Sequence, residues 1–420
     1  MKLRSYRVKS FVMKSGERYC LLVDKVTGLP LYYPNLFVTT QVRNISQSVA
    51  SMESALTSIN VLLTFCNERD IDLEARFLRR EFFQLYELDA IRDYCQLKFI
   101  QARGDPVGNV VPLLSKGRKK VQPKIGTGAE YTRLTHIAAY SKWLAEILLS
   151  TSMDRDSTRG IEKMKSGFES RRPERKGRNQ VGELKGLTHG QVEILLEVIR
   201  PGSKKNPFVG NDIQVRNQLI ILLLKYLGIR GGELLNISIG DVKWGEHHIV
   251  IARRADERSD TRGDQPLVKT LDRRLPVKDT LVRFLHDYVN KYRKKVPGAR
   301  LHDFLLVTHK SGPTQGQPLS RSSYIALIKQ ISDASPELAS LHGHGLRHTW
   351  NNDFSEHMDQ MLNPPSAEEQ EIRRSELQGW KKGSPTAAAY TKRFNQAKAQ
   401  EAGLQLQEGM TRTPENLKND

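Results

Sequence analysis

The apolar positions of this 420-residue chain fall into two kinds of pattern. From residue 41 to 150 they recur every three or four residues, the period of helices buried along one side. "SVASMESALTSINVLLTFCNERDIDLE" sets Leu56, Ile59, Leu62, Leu63 and Cys66 at that spacing, and "EFFQLYELDAIRDYCQLKF" is a second such stretch. "AEYTRLTHIAAYSKWLAEILL" puts Leu134, Ile137, Tyr140, Trp143, Leu144 and Ile147 on one face. These three segments predict a small helical bundle with basic connections, among them the surface loop "LLSKGRKKVQPKIGTG". Ahead of them, "RYCLLVD" reads as a strand followed by the turn residues Gly28, Pro30 and Pro34, so residues 1–40 are expected to form a β-containing arm.

The periodicity lapses at 169–186, "ESRRPERKGRNQVGELKG", a charged stretch that reads as an interdomain linker. A second domain opens at "LTHGQVEILLEVI", where Thr188 and Gln191 predict a capping box. A strongly apolar helix starts near Val215 and ends in the turn "GIRGG", followed by a short helix, "GELLNI". "HHIVIARR" and "QPLVKTLDRRLPV" alternate like strands and predict a hairpin with a charged tip, "ADERSDTRGD". "DTLVRFLHDYVNKYRKKV", "SRSSYIALIKQIS", the segment after "HGHG" and the segment leading to Tyr390 return to the helical period. The last twenty residues are polar and read as a mobile tail.

Charge narrows the function. Lys+Arg is 66 against 47 Asp+Glu, a formal net charge of +19, which favours polyanions: nucleic acid first, an anionic membrane surface second. No apolar run approaches the ~18 residues of a spanning helix, and the basic N-terminus lacks the apolar core of a signal peptide. A cytoplasmic protein with no membrane partner is expected. Cys20, Cys66 and Cys95 form no CxxC pair and are expected to be buried thiols.

Candidate chemistry sits in four places of the second domain. Arg230, in "LGIRGGELLNI", is either a structural charge paired to Glu233 or a phosphate ligand whose glycine neighbours admit close approach. In "LHGHGLRHTW", His344 and His348 stand at a metal-ligand spacing, but Arg347 lies between them and the decapeptide contains no carboxylate. The same layout suits an anion, with Gly343 and Gly345 at a helix start and a planar guanidinium beside it. Lys269, in "VKTLDRRLPV", is either a solvated strand lysine or part of the site. Tyr390, in "GWKKGSPTAAAYTKRF", is either a tyrosine of an amphipathic helix or a nucleophile activated by nearby cations or a base.

In this order the four motifs resemble those of the tyrosine recombinase (phage-integrase-type) family, over roughly residues 186–400. The resemblance implies a mainly α fold with a small β-hairpin or sheet, arranged as a two-domain DNA clamp. A helical core-binding domain would span 41–168 and a mixed α/β catalytic domain 187–400, with the arm at 1–40, the linker at 169–186 and the tail at 401–420. It also implies roles: Tyr390 as the nucleophile forming a 3′-phosphotyrosyl link, Arg230 and Arg347 on the phosphate oxygens, His344 as general base, Lys269 as general acid and Trp380 as a hydrogen-bond donor to the phosphate. No metal and no cofactor is implied. The implied partners are double-stranded DNA, three further copies of the chain in a synaptic tetramer, and an accessory DNA-bending or directionality factor in a bacterial cytoplasm.

The sequence departs from the family pattern in three places. Gly231 and Gly232 replace a branched and a small polar residue; Trp380 lies ten residues before Tyr390, so that Lys381 takes the usual position; and "MLNPPSAEEQEIRRSE" is an acidic insertion readable as a lid, a partner surface or a loop. Arg253, Arg254, Arg258, Arg262 and Lys278 compete with Lys269 for the acid's role. A type IB topoisomerase-like nicking–closing enzyme and an inactive DNA-binding relative are the alternative functions.

Overall fold

The computed structural model describes residues 5–45, 48–98, 123–174, 186–268, 270–381, 399–400 and 402–407. The chain divides into two compact units, Met1–Lys14 with Arg18–Val181 and Ser15–Glu17 with Gly182–Asp420.

In the first unit, β1 (Tyr6–Val12) and β2 (Arg18–Asp24) pair antiparallel, with Tyr6 opposite Asp24 and Val12 opposite Arg18. Only β2 is well covered: Cys20 and Leu22 enter the core, while much of β1 faces solvent. Helix α1 (Tyr32–Val38) supplies Asn35, whose amide accepts from the Leu22 N–H at 2.8 Å and donates to the Leu22 carbonyl at 2.9 Å, a carbonyl that also accepts from the Leu31 N–H at 3.0 Å. Helices α2 (Val49–Asn67), α3 (Leu73–Leu78), α4 (Leu85–Cys95), α5 (Thr127–Leu148) and α6 (Arg155–Ser170) follow. Leu56, Ile59 and Leu62 of α2 meet Leu134, Ile137 and Leu144 of α5 in one core, as their spacing predicts. Although α2 is long and apolar enough by composition to cross a membrane, this face is buried in the core. Helix α6 runs past the expected linker start at 169. Asp154 caps it, accepting from the Ser157 N–H at 2.7 Å, and Ile161, Met164 and Phe168 anchor it. All three cysteines are buried, which pushes their thiols up to about 12.

The second unit starts with α7 (His189–Ile199), closed by the expected box. The Gln191 N–H donates to Thr188 Oγ1 at 3.3 Å and the Thr188 N–H to Gln191 Oε1 at 2.9 Å. Helix α8 (Asn211–Leu227) is the apolar core helix and α9 (Gly231–Leu234) the short one after the glycine turn. Strands β3 (Val242–Lys243), β4 (His248–Ile251) and β5 (Arg273–Pro276) form an antiparallel sheet in that order. The expected hairpin is present, but its second strand begins at Arg273 and not near Gln265. The ladder ends there because the Arg253 N–H turns to the Asp272 carboxylate and the Leu271 N–H to the Gly379 carbonyl. Helices α10 (Asp279–Asp287), α11 (Arg321–Asp333), α12 (Gly345–Asp359) and α13 (Ala367–Gln378) complete the unit around Leu219, Leu223, Ile249, Leu285, Ile331 and Leu346. The acidic insertion therefore contains a helix. Ser366 caps α13, and Arg374 reaches back to Ser355 Oγ on α12 at 2.8 Å.

Candidate active site

Arg230 is placed by a helix that has to stop. Helix α8 ends at Gly228, whose φ of +60° is left-handed, and a Cβ there would lie 2.7 Å from the Trp350 ring. The next turn makes Arg230 the N-cap of α9. The Arg230 N–H donates to Glu233 Oε2 at 3.0 Å and Nη1 to Oε1 at 3.3 Å. The side chain pairs with Glu233 as the structural reading expects, and 28% of it stays exposed.

Glu233 is the centre of the arrangement. Its side chain is 1% exposed, and it accepts from Thr270 Oγ1 at 2.7 Å and from Arg273 Nη2 at 2.8 Å. Arg347 Nη1 lies 3.9 Å away. Burial pushes this carboxyl up, but Arg273, the Arg230 N–H and Arg347 outweigh it and hold Glu233 below the ordinary carboxylate range.

Arg347 lies in the first turn of α12 and is 1% exposed. Its Nη1 donates to the Gly228 carbonyl at 2.7 Å and its Nη2 to the Gln378 carbonyl at 3.3 Å, so it joins the ends of α8 and α13. The Trp380 ring covers the guanidinium, with its centroid 5.3 Å from Cζ. Trp380 is 7% exposed, whereas Lys381 is at the surface.

His344 is the N-cap of α12 and is exposed. Its N–H donates to His342 Nδ1 at 3.3 Å, and its ring meets that of His348 edge to face at 4.7 Å. Desolvation of the ring, then the positive charges of Arg347, Arg230 and His342, push its pKa below the ordinary imidazole value and favour the neutral ring. Among the described residues, no group of three or more His, Cys, Asp or Glu side chains is placed to hold a metal ion.

Lys269 and Tyr390 lie outside the described residues. Two of the cations that compete with Lys269 are committed elsewhere. Arg254 pairs with Asp241, and Arg262 is buried on the Asp260 carboxylate and the carbonyls of Leu235 and Leu319. Arg253, Arg258 and Lys278 are exposed.

Arg273 was not among the residues expected here. It donates to Glu233, to Thr270 Oγ1 at 2.9 Å and, through Nε, to the Leu377 carbonyl at 2.7 Å, tying β5 to the end of α13. The alternation of "RRLPV" puts Arg273 on the same face as Leu275 and Val277. A cation on an inward face calls for a buried acid.

Residues 185–362 match the model of the phage integrase family. The match lies within the second unit, over the stretch that carries Arg230, His344 and Arg347. Solved structures with some similarity to this chain include the XerH site-specific recombinase bound to difH substrate, at 14% identity over 87% of this chain and 94% of that one, with a TM-score of 0.41. Another is the Tn1549 transposon integrase with circular intermediate DNA, at 16% identity over 62% and 74% of the two chains and a TM-score of 0.41. A lambda integrase dimer bound to a COC' core site shares 15% identity over 91% and 94%, with a TM-score of 0.34. No curated protein matches the sequence.

Proposed function

We propose that this protein is a tyrosine recombinase, a site-specific integrase that cleaves and rejoins double-stranded DNA through a 3′-phosphotyrosyl intermediate, integrating or excising a mobile element. The observation that supports this most is the convergence on Glu233. One buried carboxylate gathers Arg230 and Arg347, with a neutral His344 beside them, inside a phage integrase family domain.

In this reading the Tyr390 oxygen attacks the scissile phosphorus in line and the bond to the 5′ oxygen breaks. His344 takes the phenol proton and Lys269 gives one to the departing 5′ oxygen. Arg230 and His344, both facing solvent, are the groups a phosphate meets first. Arg347 adds positive charge from beneath, with Trp380 packed on it. The phosphotyrosyl ester keeps the energy of the broken bond, so rejoining needs no nucleotide. The first unit serves as the core-binding domain and the second as the catalytic domain of a DNA clamp, four chains acting together in the cytoplasm. The +19 charge suits a polyanionic partner.

The test is a nicked suicide duplex carrying the DNA that flanks the gene. Wild type is expected to accumulate a detergent-resistant protein–DNA adduct with a free 5′-hydroxyl; binding with no adduct at any enzyme concentration contradicts the proposal.

The His344 environment sets the pH dependence. A base acts when neutral, and the pKa of His344 is lowered, so the acid limb of single-turnover cleavage lies below the ordinary imidazole value. The acid limb disappears in His344→Ala, at a much lower overall rate. An acid limb centred above 6.5 in wild type contradicts the assignment.

A further inference from the structure

Tyr324 lies on α11, away from every motif named above, yet its ring touches both turns that carry Arg230 and His344. The residue is 6% exposed. Its Oη donates to the Gly343 carbonyl at 3.2 Å, one residue before His344. The same ring also meets Gly231, one residue after Arg230. A Cβ at Gly231 would lie 2.6 Å from Tyr324 Cε1 and 2.7 Å from Cζ, closer than carbon atoms pack. The φ of Gly231 is not left-handed. Glycine is therefore demanded here by the ring and not by the backbone. At Gly343 a Cβ would lie 3.2 Å from Oη and 3.3 Å from Cε1, so the second turn also presses on the same ring.

We infer that Tyr324 is a positioning residue for DNA cleavage: its ring is the spacer that sets the Arg230 turn against the His344 turn, and Gly231 is its required partner. The inference rests on the cleavage activity proposed above. It also accounts for the departure at Gly231, since a branched residue there would need the space that Tyr324 fills. Burial raises the phenol's pKa, so Tyr324 stays protonated, a hydrogen-bond donor rather than a nucleophile.

The test uses the full chain, the suicide duplex and single-turnover cleavage at saturating DNA. Tyr324→Phe keeps the ring and removes only the bond to Gly343. Its cleavage rate is expected to fall about tenfold, the effect of one lost hydrogen bond, with DNA affinity unchanged within about twofold. A purely structural role would lower thermal stability without this split between rate and affinity. Gly231→Ala pushes a methyl into the ring and slows cleavage; Tyr324→Leu vacates that space. The double variant Gly231→Ala/Tyr324→Leu is expected to cleave faster than the product of the two single effects allows. Wild-type cleavage by Tyr324→Phe, or additive losses in the double variant, overturns the inference while leaving the cleavage reading intact. Absence of an adduct in wild type itself overturns both.

Discussion

Tyr390→Phe binds the suicide duplex as tightly as wild type and forms no covalent adduct. The substitution leaves an aromatic ring and removes one atom, the oxygen that would bond to phosphorus. A covalent adduct needs that oxygen, so the loss exceeds that of any substitution that only weakens phosphate binding. Removing an attacking group from an enzyme of this kind costs on the order of 10⁴-fold or more in rate. Water activated by His344 can still cut the strand slowly, but that product is nicked DNA with no protein attached. The structure limits the substitutes. Tyr288 and Tyr324 are buried, while Tyr226 is 54% exposed and lies at the end of α8, the helix that leads to Arg230. An adduct formed by Tyr390→Phe would move the nucleophile to such an exposed phenol and end the assignment to Tyr390.

Glu233→Ala destabilises the second unit and silences it together. The carboxylate is the shared partner of Arg273, Arg230 and Thr270, with Arg347 3.9 Å away. The side chains of Arg273 and Arg347 are 5% and 1% exposed, so removing the acid strands positive charge in the interior. Breaking a buried pair from one side costs about 3–5 kcal/mol, a large share of the total stability of a domain. Denaturant unfolding of the purified variants measures it. Glu233→Gln, which keeps the volume and part of the hydrogen bonding, loses less. The same group gives a pH signature. Because the folded pKa of Glu233 is depressed, its stabilisation is present above the ordinary carboxylate range and is lost as pH falls through the lower folded value. Wild type therefore loses stability in acid by an amount that Glu233→Gln lacks. Equal acid sensitivity in the two proteins contradicts the ion-pair account.

Much of the scaffold was legible from period and caps. The α2 and α5 stripes, the Thr188 box, the glycine stop after α8 and the pairing of β4 with β5 all follow from neighbours in sequence. Two helices were not foreseen. Both α6 and α13 are polar and highly charged; α6 has no predicted element of its own within the helical domain, and the segment of α13 reads as a lid, a partner surface or a loop. Yet the Ser366–Glu369 spacing of a capping box and the Ile161, Met164 and Phe168 stripe were present. At the site, motif order pointed to Arg230, His344, Arg347 and Trp380, but local sequence could not say which of them would be buried. The burial of Arg347 depends on carbonyls at Gly228 and Gln378 and on a ring at Trp380, each brought from a distant segment. Arg273 and Tyr324 were missed because both act through contacts across the unit, to Glu233 and to two glycine turns.

The central claim is that this chain cuts DNA by joining it to its own tyrosine. The most direct measurement is to trap the adduct on the suicide duplex, digest the protein and identify the peptide that carries the nucleotide by mass spectrometry. The account predicts a single modified residue, Tyr390, linked to a 3′-phosphate, with a free hydroxyl on the released 5′ end. A link to another residue, a 5′-phosphate attachment, or cleaved DNA with no attached peptide would contradict it.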